Sequence, residues 1–251
     1  MLKLAAWDAM PQLMKNDAVR NYYEALSHRK GSIALKRIFD LVVGVCMATV
    51  LLPVMLIIAV MIKTDSKGPV FFKQERVTTN GKKFRIFKFR TMVVDAETLG
   101  TQVTTKADSR ITRIGKILRK TRLDELPQIF NLIWGDMSFV GTRPEVPKYV
   151  DKYTPEMMAT LLLPAGITSM ASILYKDEEE LLSNAQDADD TYVNVVLPQK
   201  MKYNLEYLWK FNFVKDIQVM LMTVLAVCGK EYSDKAFVES KDGKKEERVH
   251  D

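Results

Sequence analysis

The chain has 251 residues, 47% of them hydrophobic and 27% charged, with a formal net charge of +6. That is enough for one sizeable core, or one core plus a membrane element. Only His28 and His250 are present, which argues against a histidine-based triad or zinc site. Cys46 and Cys228 both lie in apolar runs, lack metal-ligand spacing and read as reduced, buried thiols. The basic balance points either to an anionic partner or to an ordinary basic surface.

Residues 1–35 mix charges with Leu4, Trp7, Leu13 and Tyr22, and read as N-terminal surface helices without a cleavable signal peptide. Lys36 and Arg37 follow, and then Leu41 to Ile62 carries no charge. A helix of that length is roughly 33 Å long, enough to cross a bilayer core; a buried helix of a soluble domain is the alternative. Pro53 deletes a backbone bond to Thr49 and forces a kink. Basic residues flank both ends (Lys36 and Arg37 before, Lys63 and Lys67 after), and the positive-inside rule puts both on the cytoplasmic side. Segment 36–63 therefore reads as a re-entrant helix-break-helix in preference to a straight span, with Thr49 placed to re-satisfy the freed carbonyl region.

From 64 to 228 the pattern is that of a cytoplasmic domain. Residues 70–77 and 83–90 read as two strands joined by a turn at Asn80-Gly81. In the return strand Phe84, Ile86, Lys88 and Arg90 share a face, so Lys88 and Arg90 form either a phosphate site or a solvated strand end. Ile114, Ile117 and Leu118 give helical spacing. Next comes Arg119-Lys-Thr-Arg-Leu-Asp-Glu-Leu-Pro-Gln128, which sets three cations beside Asp124 and Glu125 just ahead of a helix start at Pro127. Those cations favour an ionised Asp124, which can cap the helix or do chemistry on phosphate.

Residues 135–145, with Asp136 and Arg143, read as a turn-rich loop outside the core, and Gly166-Ile-Thr-Ser169 as a second tight turn. Asp177 to Glu180 reads as a solvated helix start, Pro198 opens an amphipathic helix through Trp209, and Ile217 to Cys228 is an apolar stretch that packs on the domain or lies in an interface. Residues 229–251 read as a charged flexible tail. The expected class is α+β: a mostly helical cytoplasmic domain with a small β-hairpin, anchored by the Pro-broken re-entrant membrane helix.

Several blocks occur in one order: Lys36-Arg-Ile-Phe-Asp40, the Pro-broken apolar segment, Gly68-Pro-Val-Phe-Phe-Lys-Gln-Glu-Arg76, Phe87-Lys-Phe-Arg-Thr-Met92, Leu123-Asp-Glu-Leu-Pro-Gln-Ile-Phe-Asn131 and Gly135-Asp-Met-Ser-Phe-Val-Gly-Thr-Arg-Pro144. Over roughly residues 30–225 this set resembles the bacterial sugar transferase family, the monotopic polyprenyl-phosphate phosphoglycosyl transferases, in its minimal catalytic form. The resemblance implies transfer of a sugar 1-phosphate from a UDP-sugar to undecaprenyl phosphate at the cytoplasmic face of the bacterial inner membrane, with Mg²⁺ as cofactor. It implies Asp124 as nucleophile and metal ligand, Glu125 as its partner, Arg119 and Arg143 on phosphate, and Pro53 as the helix breaker. UDP-sugar, undecaprenyl phosphate and membrane lipid are the implied partners; nucleic acid is not, and self-association is left open. The product is the first lipid-linked sugar of a surface glycoconjugate.

The sequence departs from the family pattern at Leu52, Thr142 and Ala165, and from Ser169 to Glu180, where Lys176 stands nearest to an arginine that other members carry. The rival reading is a basic, membrane-anchored scaffold that binds anionic lipid or nucleic acid without catalysis.

Overall fold

The computed structural model describes residues 4–94, 96, 108–175, 178–183, 185–230 and 232. Helix α1 (Asp17–Ser27) starts where the Asn16 side chain accepts a hydrogen bond from Val19 N at 2.9 Å. Met10, Met14, Val19 and Leu26 are all buried in the main core. Within residues 4–35 these side chains join Met158 and Leu162 in that cluster, while Leu13 and charged side chains such as Arg20 and Glu24 stay at the surface.

Helix α2 (Lys30–Asp65) has 36 residues, about 54 Å at 1.5 Å per residue. Among the described residues it is the one helix long and apolar enough to cross a membrane. One stripe is buried: Ile33, Lys36, Asp40 and Gly44, then Met55, Ile58 and Ile62. Val42, Val45, Val50, Leu52, Leu56, Ile57 and Val60 are exposed, an apolar surface that water does not favour.

The Lys-Arg-x-x-Asp block fastens the first half of this helix. Lys36 Nζ donates to Asp216 Oδ2 at 2.6 Å and to Val140 O at 2.7 Å, and Tyr207 Oη donates to Asp216 Oδ1 at 2.5 Å. Arg37 donates to Leu132 O and Ile133 O, both at 2.7 Å. Asp40 Oδ1 accepts from Phe139 N at 3.2 Å. The last turns of α2 pack Met55, Ile58 and Ile62 on Phe89 and Leu118. Helical structure runs through Pro53 without dividing the element, so it begins and ends beyond the 36–63 bounds. The Thr49 hydroxyl does not serve the carbonyl freed by Pro53; it donates to Val45 O at 3.0 Å.

Strands β1 (Phe71–Val77) and β2 (Lys83–Phe89) form the expected antiparallel hairpin, with Phe71 opposite Phe89 and Arg76 opposite Phe84. Asn80 and Gly81 take φ of 56° and 72° in its turn, conformations that suit these residue types. Helix α3 (Arg113–Thr121) is capped by Thr112 Oγ1 on Gly115 N at 3.0 Å, and Asp65 Oδ2 accepts from Ile114 N at 3.1 Å. A 3₁₀ turn at Leu123–Glu125 leads to helix α4 (Gln128–Trp134).

Two sequence expectations change here. The 135–145 loop contains strand β3 (Met137–Val140), and the supposed turn at Gly166 is strand β4 (Ala165–Thr168), paired in parallel with β3. Met137, Ser138, Val140 and Ala165 are buried, so no alternation of apolar and polar residues marks these strands. The backbones approach closely at Gly141 and Gly166: a Cβ on Gly166 would lie 2.2 Å from Gly141 N. Short helices α5 (Pro147–Val150), α6 (Met170–Leu174), α7 (Glu178–Ser183) and α8 (Ala188–Thr191) complete this region.

A π-helical turn at Tyr192–Val196 enters α9 (Leu197–Trp209), and α10 (Phe213–Val227) closes the fold. Helix α10 buries Asp216 and Val219 against the domain and leaves Val214, Leu221, Val224 and Val227 exposed. Cys46 and Cys228 are free and exposed, because they lie on the outward apolar surface of α2 and just past the end of α10. Of the expected tail, only Gly229, Lys230 and Tyr232 are among the described residues; Lys176 and Asp177 also lie outside them.

Lys36→Ala leaves the Asp216 carboxylate buried without its cation. A loss of about 3–5 kcal/mol is expected, read as a lower unfolding temperature in detergent. An unchanged melt would mean that this pair does not hold α2 to the domain.

Candidate active site

Three chain segments converge around Asp124 and Glu125. Helix α3 ends at Arg122, whose left-handed backbone (φ 58°, ψ 14°) turns the chain into the 3₁₀ segment. A non-glycine residue in that region is uncommon and strained, and such residues cluster at functional sites. Strand β2 supplies Lys88, and the loop after β3 supplies Arg143.

Glu125 is held by both cations. Lys88 Nζ donates to Oε1 at 3.0 Å; Arg143 donates through Nη2 to Oε1 at 2.5 Å and through Nη1 to Oε2 at 3.3 Å. Burial pushes the Glu125 carboxyl up, but Arg143 and Lys88 outweigh it and hold it well below the ordinary carboxylate range. Glu125 in turn holds Arg143 above the usual range for arginine. Burial lowers Lys88 against the pull of the same carboxylate.

Asp124 behaves oppositely. It is buried, and its Oδ1 has no hydrogen-bond partner. Burial raises its carboxyl against the pull of Lys88, with Glu125 adding to the rise and Arg119 and Arg122 opposing it. The nearby cations do favour the ionised form, as the sequence suggests, but desolvation is the larger effect. Two adjacent carboxyls with environments that push them apart are a recurrent acid–base arrangement.

Arg119 Nε donates to Thr91 Oγ1 at 2.9 Å, and its charge reaches Asp124. Arg90 does not join the site. Its guanidinium donates to Ser66 O at 2.8 Å, Ser66 Oγ at 2.9 Å and Lys67 O, so it ties the end of α2 to the hairpin. Residue 90 lies beyond the end of β2, where strand alternation no longer directs its side chain. It also packs on Gly68, whose φ of 123° and missing Cβ give Arg90 Nη1 room.

Sequence reasoning missed a second layer. Arg76 Nη1 donates to Pro144 O at 3.1 Å, beside Arg143 and Glu145 in charge. Glu145 Oε1 accepts from Tyr192 Oη at 2.5 Å, and Lys200 Nζ stands 3.7 Å from Glu145 and 3.2 Å from Glu178. Asn131 of α4 bridges to the free edge of β2, donating to Arg85 O and accepting from Phe87 N, both at 2.9 Å.

No group of three or more acidic, histidine or cysteine side chains able to hold a metal occurs among the described residues. Mg²⁺ needs only one or two carboxylates when phosphate oxygens complete its shell. The unpartnered oxygen of Asp124 fits that role. Glu125 does not, since both its oxygens are engaged by cations.

The two carboxyls should respond oppositely to removal of their charge. Asp124, raised by burial, lowers stability as pH climbs from the unfolded carboxylate value through its folded value. Asp124→Asn should therefore melt higher than the parent at pH 8, with the gain vanishing in acid. Glu125, lowered by its partners, contributes stability above the unfolded value that is lost as pH falls through its folded value. Glu125→Gln should cost about 3–5 kcal/mol at pH 8. Thermal melts of both variants from pH 8 down to about pH 4, near the unfolded carboxylate values, check this; shifts of the same sign at pH 8 would contradict it.

Residues 31–230 match the family model of the bacterial sugar transferases. The chain is 36% identical over 196 residues to an Aeromonas hydrophila protein named UDP-N-acetylgalactosamine-undecaprenyl-phosphate N-acetylgalactosaminephosphotransferase, a match covering 77% of this chain and 43% of that one. It is 33% identical over 197 residues to a Klebsiella pneumoniae UDP-glucose:undecaprenyl-phosphate glucose-1-phosphate transferase, covering 77% and 40%. The exopolysaccharide production protein PSS of Rhizobium leguminosarum bv. phaseoli is 34% identical over 209 residues, covering 77% and 95%. The chain thus spans well under half the length of the first two relatives and nearly all of the third. The extent of the family match leaves one conclusion: the chain belongs to the bacterial sugar transferase family.

Proposed function

We propose that this protein moves a sugar 1-phosphate from a UDP-sugar to undecaprenyl phosphate through a covalent intermediate on Asp124. The observation that carries this reading is the contrast within the acidic pair: Glu125 is neutralised by Lys88 and Arg143, while Asp124 keeps an unpartnered oxygen. A carboxylate that is buried and lightly solvated is a competent nucleophile at phosphorus.

In the first half-reaction an Asp124 oxygen bonds to the β-phosphorus. The bond from that phosphorus to the bridging oxygen breaks, and UMP leaves with the electron pair. In the second, an oxygen of the lipid phosphate attacks the same phosphorus and the aspartyl oxygen leaves as carboxylate. Asp124 is the residue that would hold Mg²⁺, which when bound would supply charge neutralisation for the leaving group. Arg119 and Arg143 bind phosphate oxygens; the Arg143 side chain keeps 32% exposure, so an edge remains open beyond Glu125. Lys88 adds charge from beneath. Glu125 holds Lys88 and Arg143 in place beside Asp124.

The membrane reading rests on α2, whose exposed apolar surface suits lipid, with both of its ends fastened to one domain. We place the site at the cytoplasmic face of the bacterial inner membrane, with α2 re-entering that face about Pro53. The scaffold alternative is not favoured: Lys36, Lys88, Lys200 and Arg90 are spent on internal partners, so the net charge overstates the free surface charge.

Two experiments test this. Enzyme mixed with UDP-N-acetylgalactosamine or UDP-glucose and no lipid phosphate should release up to one equivalent of UMP, and initial rates with undecaprenyl phosphate should be ping-pong. Arg119→Ala and Arg143→Ala should each slow the burst about ten- to a hundredfold. UMP release that strictly requires the lipid phosphate would overturn the covalent route. For topology, Lys30→Cys and Lys67→Cys, made in a background with the exposed Cys46 and Cys228 replaced by serine, should both resist labelling from outside intact cells. External labelling of one of them would favour a full span.

A further inference from the structure

The buried network behind Arg143 takes no part in the chemistry proposed above. Glu145, Tyr192 and Lys200 are all buried. Lys200 Nζ lies 3.7 Å from Glu145 Oε1, 3.2 Å from Glu178 Oε2 and 3.3 Å from Tyr192 Oη, and Tyr192 Oη donates to Glu145 Oε1 at 2.5 Å. Tyr192 comes from the π-helical turn and Lys200 from α9, into which that turn leads; such turns recur at functional sites. Among the described residues, Lys200 is the one cation in ion-pair contact with Glu145 or with Glu178, so it serves both acids.

Arg143 stands two residues before Glu145, with Pro144 between them. The backbone here is fixed from β1: Val77 N donates to Glu145 O at 3.0 Å, and Arg76 Nη1 donates to Pro144 O at 3.1 Å. Arg143 and Glu145 line the same small cavity. Their charges reach one another. Glu125 holds Arg143 above the usual arginine range against burial, and Glu145 and Glu178 add to the rise. Three acids thus act on one guanidinium that has to bind phosphate. Glu125 has Lys88 as its second cation; for Glu145 and Glu178 the cation is Lys200. Without it, both acids would compete with phosphate for the guanidinium donors and make the local potential less positive.

We propose that Lys200 is a positioning residue for Arg143: by holding Glu145 and Glu178 it leaves the guanidinium to Glu125 and its open edge to the diphosphate. The inference rests on the reading of Arg143 as a phosphate ligand. It sets opposite signs on the two members of the Lys200–Glu178 pair. Removing the Lys200 charge weakens UDP-sugar binding, and removing the Glu178 charge strengthens it. A pair that only held the fold together would harm binding, or spare it, from either side.

The test uses the full-length protein in detergent with undecaprenyl phosphate and UDP-N-acetylgalactosamine or UDP-glucose, whichever the parent turns over. KM for the UDP-sugar is the readout, because it does not depend on the fraction of enzyme that is folded. Lys200→Met should raise it on the order of tenfold. Glu178→Gln, at a partly exposed position, should lower it about two- to fivefold. In an Arg143→Ala background, Lys200→Met should add no further change. A KM within about twofold of the parent in Lys200→Met, or a rise that persists in full without Arg143, would overturn the proposal. If Lys200→Met does not fold, Glu178→Gln decides: a KM equal to that of the parent or higher overturns it. Arg143→Ala alone is the control on the underlying reading: kinetics at parent values would remove Arg143 from the phosphate site, whatever Lys200 does.

Discussion

The site depends on the ion cluster that Glu125 forms with Lys88 and Arg143. These residues come from three separate parts of the chain: a hairpin strand, the turn ahead of α4 and the loop after β3. Each would be costly to bury alone; together they satisfy one another. The same cluster divides the labour of the acidic pair. By taking both cations into direct contact, Glu125 becomes a fixed ionised group and leaves its neighbour without a direct ion-pair partner. Asp124 then responds chiefly to burial, which raises its carboxyl.

Much of this was legible in the sequence, and the failures have physical causes. The hairpin was legible because Asn80-Gly81 fits a left-handed turn and the flanking residues alternate. Lys88, which strand alternation put on one face with Phe84 and Ile86, meets Glu125 and Arg143. Strands β3 and β4 were not legible: four residues each, with adjacent residues buried at both (Met137 and Ser138, Ala165 and Gly166), they carry no period-two signal, and a long crossover separates them. Arg90 was assigned by extending a strand's alternation one residue too far. The Glu145, Tyr192, Lys200 and Glu178 network joins positions far apart in sequence, so no local pattern announces it. Gln128 sits in an obvious block, yet only the structure shows that its amide is buried without a partner.

The long apolar helix and the site are mechanically joined. Lys36, Arg37 and Asp40 bolt the first half of α2 to β3, α4 and α10. Asp65 caps α3, Arg90 grips Ser66 and Lys67, and Met55, Ile58 and Ile62 pack on Phe89 and Leu118. Helix α3 is the element that carries Arg119 and leads directly into Asp124. A lipid phosphate presented along α2 would thus arrive at a site whose framework is continuous with the helix.

The central claim is that one carboxylate of the pair, and not the other, takes the phospho-sugar. It can be tested by trapping. Enzyme loaded with UDP-sugar in the absence of lipid phosphate is treated with borohydride, which reduces an acyl-phosphate to the alcohol, and the peptide spanning Leu123 to Asn131 is sequenced by mass spectrometry. The account predicts homoserine at position 124 and unaltered glutamate at 125. A reduced side chain at 125 with aspartate intact at 124 would contradict it.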